Sequence, residues 1–88
     1  MRAEFRASFA RDLKRIRDKR VLTGVRQAIL DVEGTTNWND IPSIKKIKGG
    51  NNAFRIRVED YRIGLFIEND QAEFVRILPR RDIYRKFP

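Results

Sequence analysis

The stretch "FRIRVEDYRIGLFIEN", residues 54–69, decides how this chain folds. Phe54, Ile56 and Val58 alternate with Arg55 and Arg57. After Glu59-Asp60, Tyr61, Ile63, Leu65 and Ile67 alternate with Arg62, Gly64, Phe66 and Glu68. Period-2 alternation marks half-buried strands, so Ala53 to Val58 and Tyr61 to Glu68 form a hairpin. Neither Glu59 nor Asp60 accepts positive φ easily, which leaves room for a loop longer than two residues. With a two-residue loop, Arg57 lies directly across from Arg62, and like charges placed there are destabilising. A fold tolerates that more readily when something anionic normally sits on them. The alternative is that these arginines splay into water or pair with Glu59, Glu68 and Asp82.

Strands extend on both sides of the hairpin. "SIKKIKGG" (43–50) reads as one, followed by the turn signal Gly49-Gly50-Asn51-Asn52. Asn69-Asp70 marks the next turn, Gln71 to Leu78 the last strand, and Pro79 its end. For Val75 and Ile77 to share the core face with Ile63 and Leu65, that turn must hold an odd number of residues. Upstream, "MRAEFRAS" reads as a short strand with Ala3 and Phe5 on one face. Ser8 sits where a helix N-cap belongs. Phe9, Leu13 and Ile16 recur at helical spacing, and after a break near Asp18 to Arg20 a second helix carries the stripe Val21, Leu22, Val25, Ala28, Ile29 and Val32. Gly34 is a natural stop. Trp38, in the polar loop 34–43, plugs an edge of the core or stacks on a base. The expected fold is α+β: an N-terminal strand and two helices packed on one face of a mostly antiparallel sheet of four to five strands.

Composition narrows the function. Residues 1–88 read as one small domain. Twenty Lys and Arg against twelve Asp and Glu give a net charge of +8, which favours polyanionic partners. The plain alternative is a solvated surface. There is no Cys, so neither disulfides nor a thiolate zinc site are expected, and no His to serve as acid, base or ligand. No stretch approaches the ~20 apolar residues of a membrane span, and the N-terminus lacks a signal peptide's apolar core. These features point to a cytoplasmic protein.

The segments "IKKIKGG", "FRIRVEDYRIGLFI" and "VRILPRRDIYRKF", in that order, resemble the RelE/ParE superfamily of toxins from type II toxin–antitoxin systems. The shared pattern is a K-x-L-K-G-like segment, an aromatic-R-x-R-V strand, a D/G-Y-R start to the next strand, and a final strand running into an R-x-x-x-Y-like end. The resemblance covers nearly the whole chain and implies the RelE-like microbial RNase fold. RelE-like members enter the ribosomal A site and cut mRNA without metal or cofactor, the ribose 2′-OH attacking the adjacent phosphate. ParE-like members poison DNA gyrase and generally lack the basic catalytic set. The resemblance carries that set onto Arg55, Arg57, Arg62, Arg80 and Tyr84, with Arg81 competing for the place of Arg80. Pro79 stands where many relatives carry His. The implied partners are a cognate antitoxin, the ribosome and mRNA.

The residue chemistry agrees. Guanidinium groups match phosphate oxygens two at a time and stabilise the charge that builds on a phosphorane. Arg stays protonated and is a poor acid or base, so proton transfer falls to another group. Tyr84 is placed to orient the 2′-OH, stack on a base or act as base; Asp82 and Glu59 fit better as ion-pair partners. Lys45, Lys46 and Lys48, with Lys14 and Arg15 and the neighbouring Arg11 and Arg17, suit phosphate-backbone contacts to rRNA, or simply a solubilising surface. A gyrase inhibitor and a non-cleaving RNA- or ribosome-binding relative are the rival readings.

Overall fold

The computed structural model describes residues 1–88. Nine short elements follow one another. They are β1 (Arg2–Phe5), α1 (Ala7–Lys14), α2 (Lys19–Glu33), a 3₁₀ turn (Trp38–Asp40), β2 (Ile44–Lys46), β3 (Ala53–Val58), β4 (Tyr61–Glu68), β5 (Gln71–Pro79) and α3 (Arg80–Lys86). The strands form one sheet in the order β1-β5-β4-β3-β2. Every neighbouring pair is antiparallel except β1 and β5. This is the α+β architecture expected from the alternation and the helical stripes.

Strand parity sorts the side chains as the periodicity demands. Phe54, Ile56, Val58, Ile63 and Leu65 face the main core together with Phe9 and Ile16 from the first helical segment and Val21, Val25, Ala28 and Val32 of α2. Each large apolar side chain buried there contributes about 1.5–3 kcal/mol. Gly24 lets α2 lie close to the end of β3: a Cβ at this position would fall 2.6 Å from Val58 Cγ1. Trp38 packs its ring 4.8 Å from that of Phe54, so it plugs the core edge.

The hairpin turn holds only Glu59 and Asp60, because Val58 pairs with Tyr61. Glu59 takes the unfavourable conformation, at φ 53°, so the longer loop is not formed. The next turn also holds two residues, Asn69 and Asp70 at φ 51° and 62°, and Glu68 pairs with Gln71. The odd-numbered turn is therefore wrong. A β-bulge does its work: Leu65 pairs with Phe74 but Gly64 with Arg76. The extra residue, Val75, leaves the main core, whereas Ile77 stays opposite Ile63.

Two expectations at the helix starts are corrected, and one element is added. Ser8 is not the cap of α1; Arg6 is the N-cap residue, and Ser8 Oγ donates to the Val75 carbonyl at 2.6 Å. The second helix begins inside the expected break, at Lys19, with Asp18 as its cap accepting from the Arg20 amide at 2.9 Å. The chain after Pro79 forms α3, which lies on the sheet face opposite α1 and α2. There Ile83 and Phe87 join Ala53 and Val75 in a second, smaller core cluster.

Beyond Phe5, β1 no longer covers β5, and α1 takes over. The buried Asp12 carboxylate accepts from Arg76 Nε at 2.7 Å, from Arg76 Nη2 at 3.1 Å and from the Ile77 amide at 3.1 Å. This hydrogen bonding to Asp12 outweighs burial and raises the Arg76 guanidinium above its usual range. An edge amide that would otherwise lack a partner is thereby satisfied. Moving from Ser8 beside Val75 to Asp12 beside Ile77, α1 runs alongside β5 towards Pro79.

Candidate functional site

Parity places Arg55, Arg57 and Arg62 on the sheet face away from α1 and α2. On β3 they alternate with the buried Phe54, Ile56 and Val58, and Arg57 pairs directly with Arg62 on β4. Lys45 lies across from Arg55 on β2. Together with Ser43 and Ile44 these four cations line a pocket of about 280 Å³.

α3 forms one bank of this site. Its first residue is pinned by the Arg80 amide, which donates to the Asp60 carbonyl at 2.8 Å. One helical turn on, Tyr84 presents its phenol to Arg55, whose Nε donates to the hydroxyl at 3.3 Å. Because α3 is held down by Ile83 and Phe87, the Tyr84 ring stays outside, 59% exposed. Arg80 and Arg81 both border the groove at Pro79 and Tyr84. Arg80 is the one whose charge bears on Arg62.

The electrostatics of the cluster are unrelieved. Burial foremost, then the charges of Arg55, Arg80 and Arg57, push Arg62 below its usual value, with Tyr84 opposing. Arg62 Nη1 turns back to the carbonyls of Tyr61 at 2.9 Å and Glu59 at 3.1 Å. Arg55 Nη1 donates to the Ser43 carbonyl at 3.3 Å. No carboxylate pairs with Arg55, Arg57, Arg62, Arg80 or Arg81: the ion pairs are Arg2–Glu4, Arg6–Glu73, Arg20–Asp18, Arg76–Asp12 and Arg85–Asp82. Glu59 and Glu68 leave the cluster unpaired, and Asp82 is engaged by Arg85 at 2.6 Å. Packed like charges that lack internal partners favour an anion bearing several oxygens.

The remaining basic residues divide. Lys46 pairs with Phe54, so its parity is opposite to that of Lys45, and Lys48 lies beyond β2 in the turn. Lys14 and Arg15 are exposed at the end of α1, which the path along β5 brings to the Pro79 end, where Arg80 begins. The sequence reading missed α3 as an element, although Ile83 and Phe87 four residues apart were its signal. It also passed over Gln27 and Asp31, which line a cleft of about 660 Å³ shared with Arg57, Arg62 and Arg80. No group of three or more His, Cys, Asp or Glu side chains is arranged to hold a metal ion. No helix is long and apolar enough to cross a membrane.

Comparison with known proteins gives a consistent result. The family model described as the ParE toxin of the type II toxin–antitoxin system parDE matches residues 3–84. Toxin RelE3 of Methanocaldococcus jannaschii is 37% identical over 89 residues, covering all of both chains. Among solved structures, the RelB-RelE antitoxin-toxin complex from Methanococcus jannaschii superposes with a TM-score of 0.80 at 35% identity, over 97% of this chain and 99% of the other. The DinJ-YafQ complex of E. coli matches with a TM-score of 0.67 at 15% identity, over 96% and 99% of the two chains, a likeness of fold alone. The chain belongs to the RelE/ParE superfamily of toxins of type II toxin–antitoxin systems.

Proposed function

We propose that this toxin is a ribosome-dependent mRNA endonuclease, silenced by a cognate antitoxin. The observation that carries this reading is the set Arg55, Arg57, Arg62 and Arg80, without a carboxylate partner and converging on Arg62, with the Tyr84 hydroxyl bonded to Arg55. The 2′-hydroxyl of one ribose loses its proton to solvent as its oxygen attacks the neighbouring phosphorus, and the bond from phosphorus to the 5′-oxygen breaks, that oxygen taking up a proton. A 2′,3′-cyclic phosphate and a 5′-hydroxyl result. Arg57 and Arg62 face the phosphoryl oxygens, where charge builds in the transition state. The Tyr84 oxygen accepts from Arg55, so its own proton is free to be donated to a phosphoryl or leaving oxygen. Without an imidazole the chemistry leans on alignment of the mRNA by the ribosome. Lys14, Arg15 and Lys45 hold rRNA and mRNA backbone, which fixes position without reading sequence.

The antitoxin reading is supported by the solved relative at 35% identity, which is a RelB-RelE antitoxin-toxin complex. A segment that covers the arginine cluster would neutralise both its charge and its access. The match to a ParE family model favours a second reading, inhibition of DNA gyrase. Primer extension on mRNA translated in vitro separates the two. New 3′ ends inside A-site codons support the nuclease; intact mRNA together with blocked gyrase supercoiling refutes it.

A further inference from the structure

The two edges of the sheet differ in charge. The β2 edge carries Lys45 and Lys46, exposed and without a carboxylate partner, and Lys48 follows. Such lysines turn a further strand away. The β1 edge carries Arg2 and Glu4 instead, an ion pair at 3.6 Å. The amides of Arg2 and Arg6 donate to the carbonyls of Asp70 and Phe74, both at 3.0 Å. In a parallel ladder the residues between such donors turn both backbone groups the other way. The N–H and C=O groups of Ala3 and Phe5 therefore point out of the sheet, a template for one more strand. The Phe5 ring stacks on Phe74 at 5.1 Å yet stays 49% exposed at the same edge.

The charges on β1 choose the occupant. A second β1, laid antiparallel about a two-fold axis at Ala3, sets Arg2 opposite Glu4 of the other copy and Glu4 opposite its Arg2. Signs then alternate around all four side chains. Ala3 exchanges two backbone hydrogen bonds with Ala3 of the second copy, and the Phe5 amide meets the Met1 carbonyl. The Phe5 ring lies across from the Met1 side chain, which covers its exposed side. Sliding by two residues either way sets like charges opposite each other: Glu4 on Glu4 with Arg2 on Arg6, or Arg2 on Arg2. Sliding by four carries the strand past Arg6 into α1, which begins at Ala7. We infer that the antitoxin-free protein self-associates through β1, two copies pairing antiparallel in this one register. Their sheets then run on as one. β5 and β4 separate β1 from β3, so the arginine cluster stays uncovered and the dimer does not depend on what that cluster binds.

The test is sedimentation equilibrium of the antitoxin-free protein from about 10 μM to about 1 mM. In about 0.15 M salt the net charge of +8 on each copy is screened beyond about 8 Å, whereas contacts between paired strands are not. So short an edge gives a weak dimer, with a dissociation constant on the order of 0.1 mM. Arg2→Glu and Glu4→Arg each put like charges opposite each other twice per dimer, and each should raise that constant about tenfold or more. Mixed one to one, the two variants should associate again, because one strand then presents two carboxylates and the other two guanidinium groups. Arg2 and Glu4 are exposed and outside the core, and recovery in the mixture also shows that neither variant has lost its fold. A wild type that stays monomeric to the top of the range overturns the inference and leaves the edge to a strand of another protein. A dimer of wild-type strength from either variant alone overturns it too, as do variants that stay monomeric when mixed.

Discussion

Gly64→Ala should loosen α3 without unfolding the protein. Gly64 lies on the α3 face of β4, opposite Arg55. A Cβ there would fall 2.6 Å from both Cγ and Cδ2 of Phe87 and 3.0 Å from Cδ1. These are ring atoms near the root of the side chain, so a small rotation does not clear them. The ring is 2% exposed and packs 5.0 Å from Phe66, which blocks an outward swing. Overpacking of this kind costs about 1–3 kcal/mol. The cost falls on the small cluster of Ala53, Val75, Ile83 and Phe87, which is separate from the main core. Undocked α3 should then be populated roughly 5- to 150-fold more often. Native-state hydrogen exchange reads this directly. The Phe87 amide, bonded to the Ile83 carbonyl at 2.8 Å, should exchange faster by that factor, whereas amides of the main-core strands should not follow. Cleavage should fall with it, because Arg80 and Tyr84 ride on α3. Unchanged α3 exchange, or equal acceleration throughout the molecule, would refute the view of α3 as a separately docked bank of the site.

Arg62→Ala and Tyr84→Phe should each relieve growth arrest on expression at equal soluble protein levels; full toxicity of both would place the site elsewhere. Asp12→Ala should cost about 3–5 kcal/mol in denaturant unfolding, because it strands the half-buried Arg76 and the Ile77 amide. A loss under 1 kcal/mol would mean that water replaces the carboxylate at the β5 edge. Lys14→Ala combined with Arg15→Ala should weaken ribosome association and flatten its log–log salt dependence by about one unit for each phosphate that is no longer neutralised. An unchanged slope would assign these residues to solubility alone.

The fold was legible because the alternation in residues 54–69 has one physical solution: with one face buried, parity fixes every side chain. The departures came where another force outweighed a local preference. Strand pairing forces Glu59 to φ 53° against its own inclination. A bulge, invisible to periodicity, corrects the register at Val75 and leaves Ile77 in the core. α3 spans only seven residues, too few for a periodic pattern to stand out beside the family's arginine and tyrosine. The arginine cluster was readable from β3 and β4 alone. The approach of Lys14 and Arg15 to it was not, because that depends on Asp12 tying α1 to the β5 edge. Nor was the Gln27–Asp31 cleft, which depends on how α2 lies against the end of β3.

Single-turnover cleavage of mRNA on programmed ribosomes, at saturating protein, tests the central claim most directly. Wild type should cut within the A-site codon. Arg62→Ala should bind ribosomes almost normally yet cut on the order of 10²- to 10³-fold more slowly, as expected when one transition-state contact to the phosphate is removed. A wild-type rate for Arg62→Ala, or a loss that tracks weakened ribosome association alone, would contradict a catalytic role for the cluster.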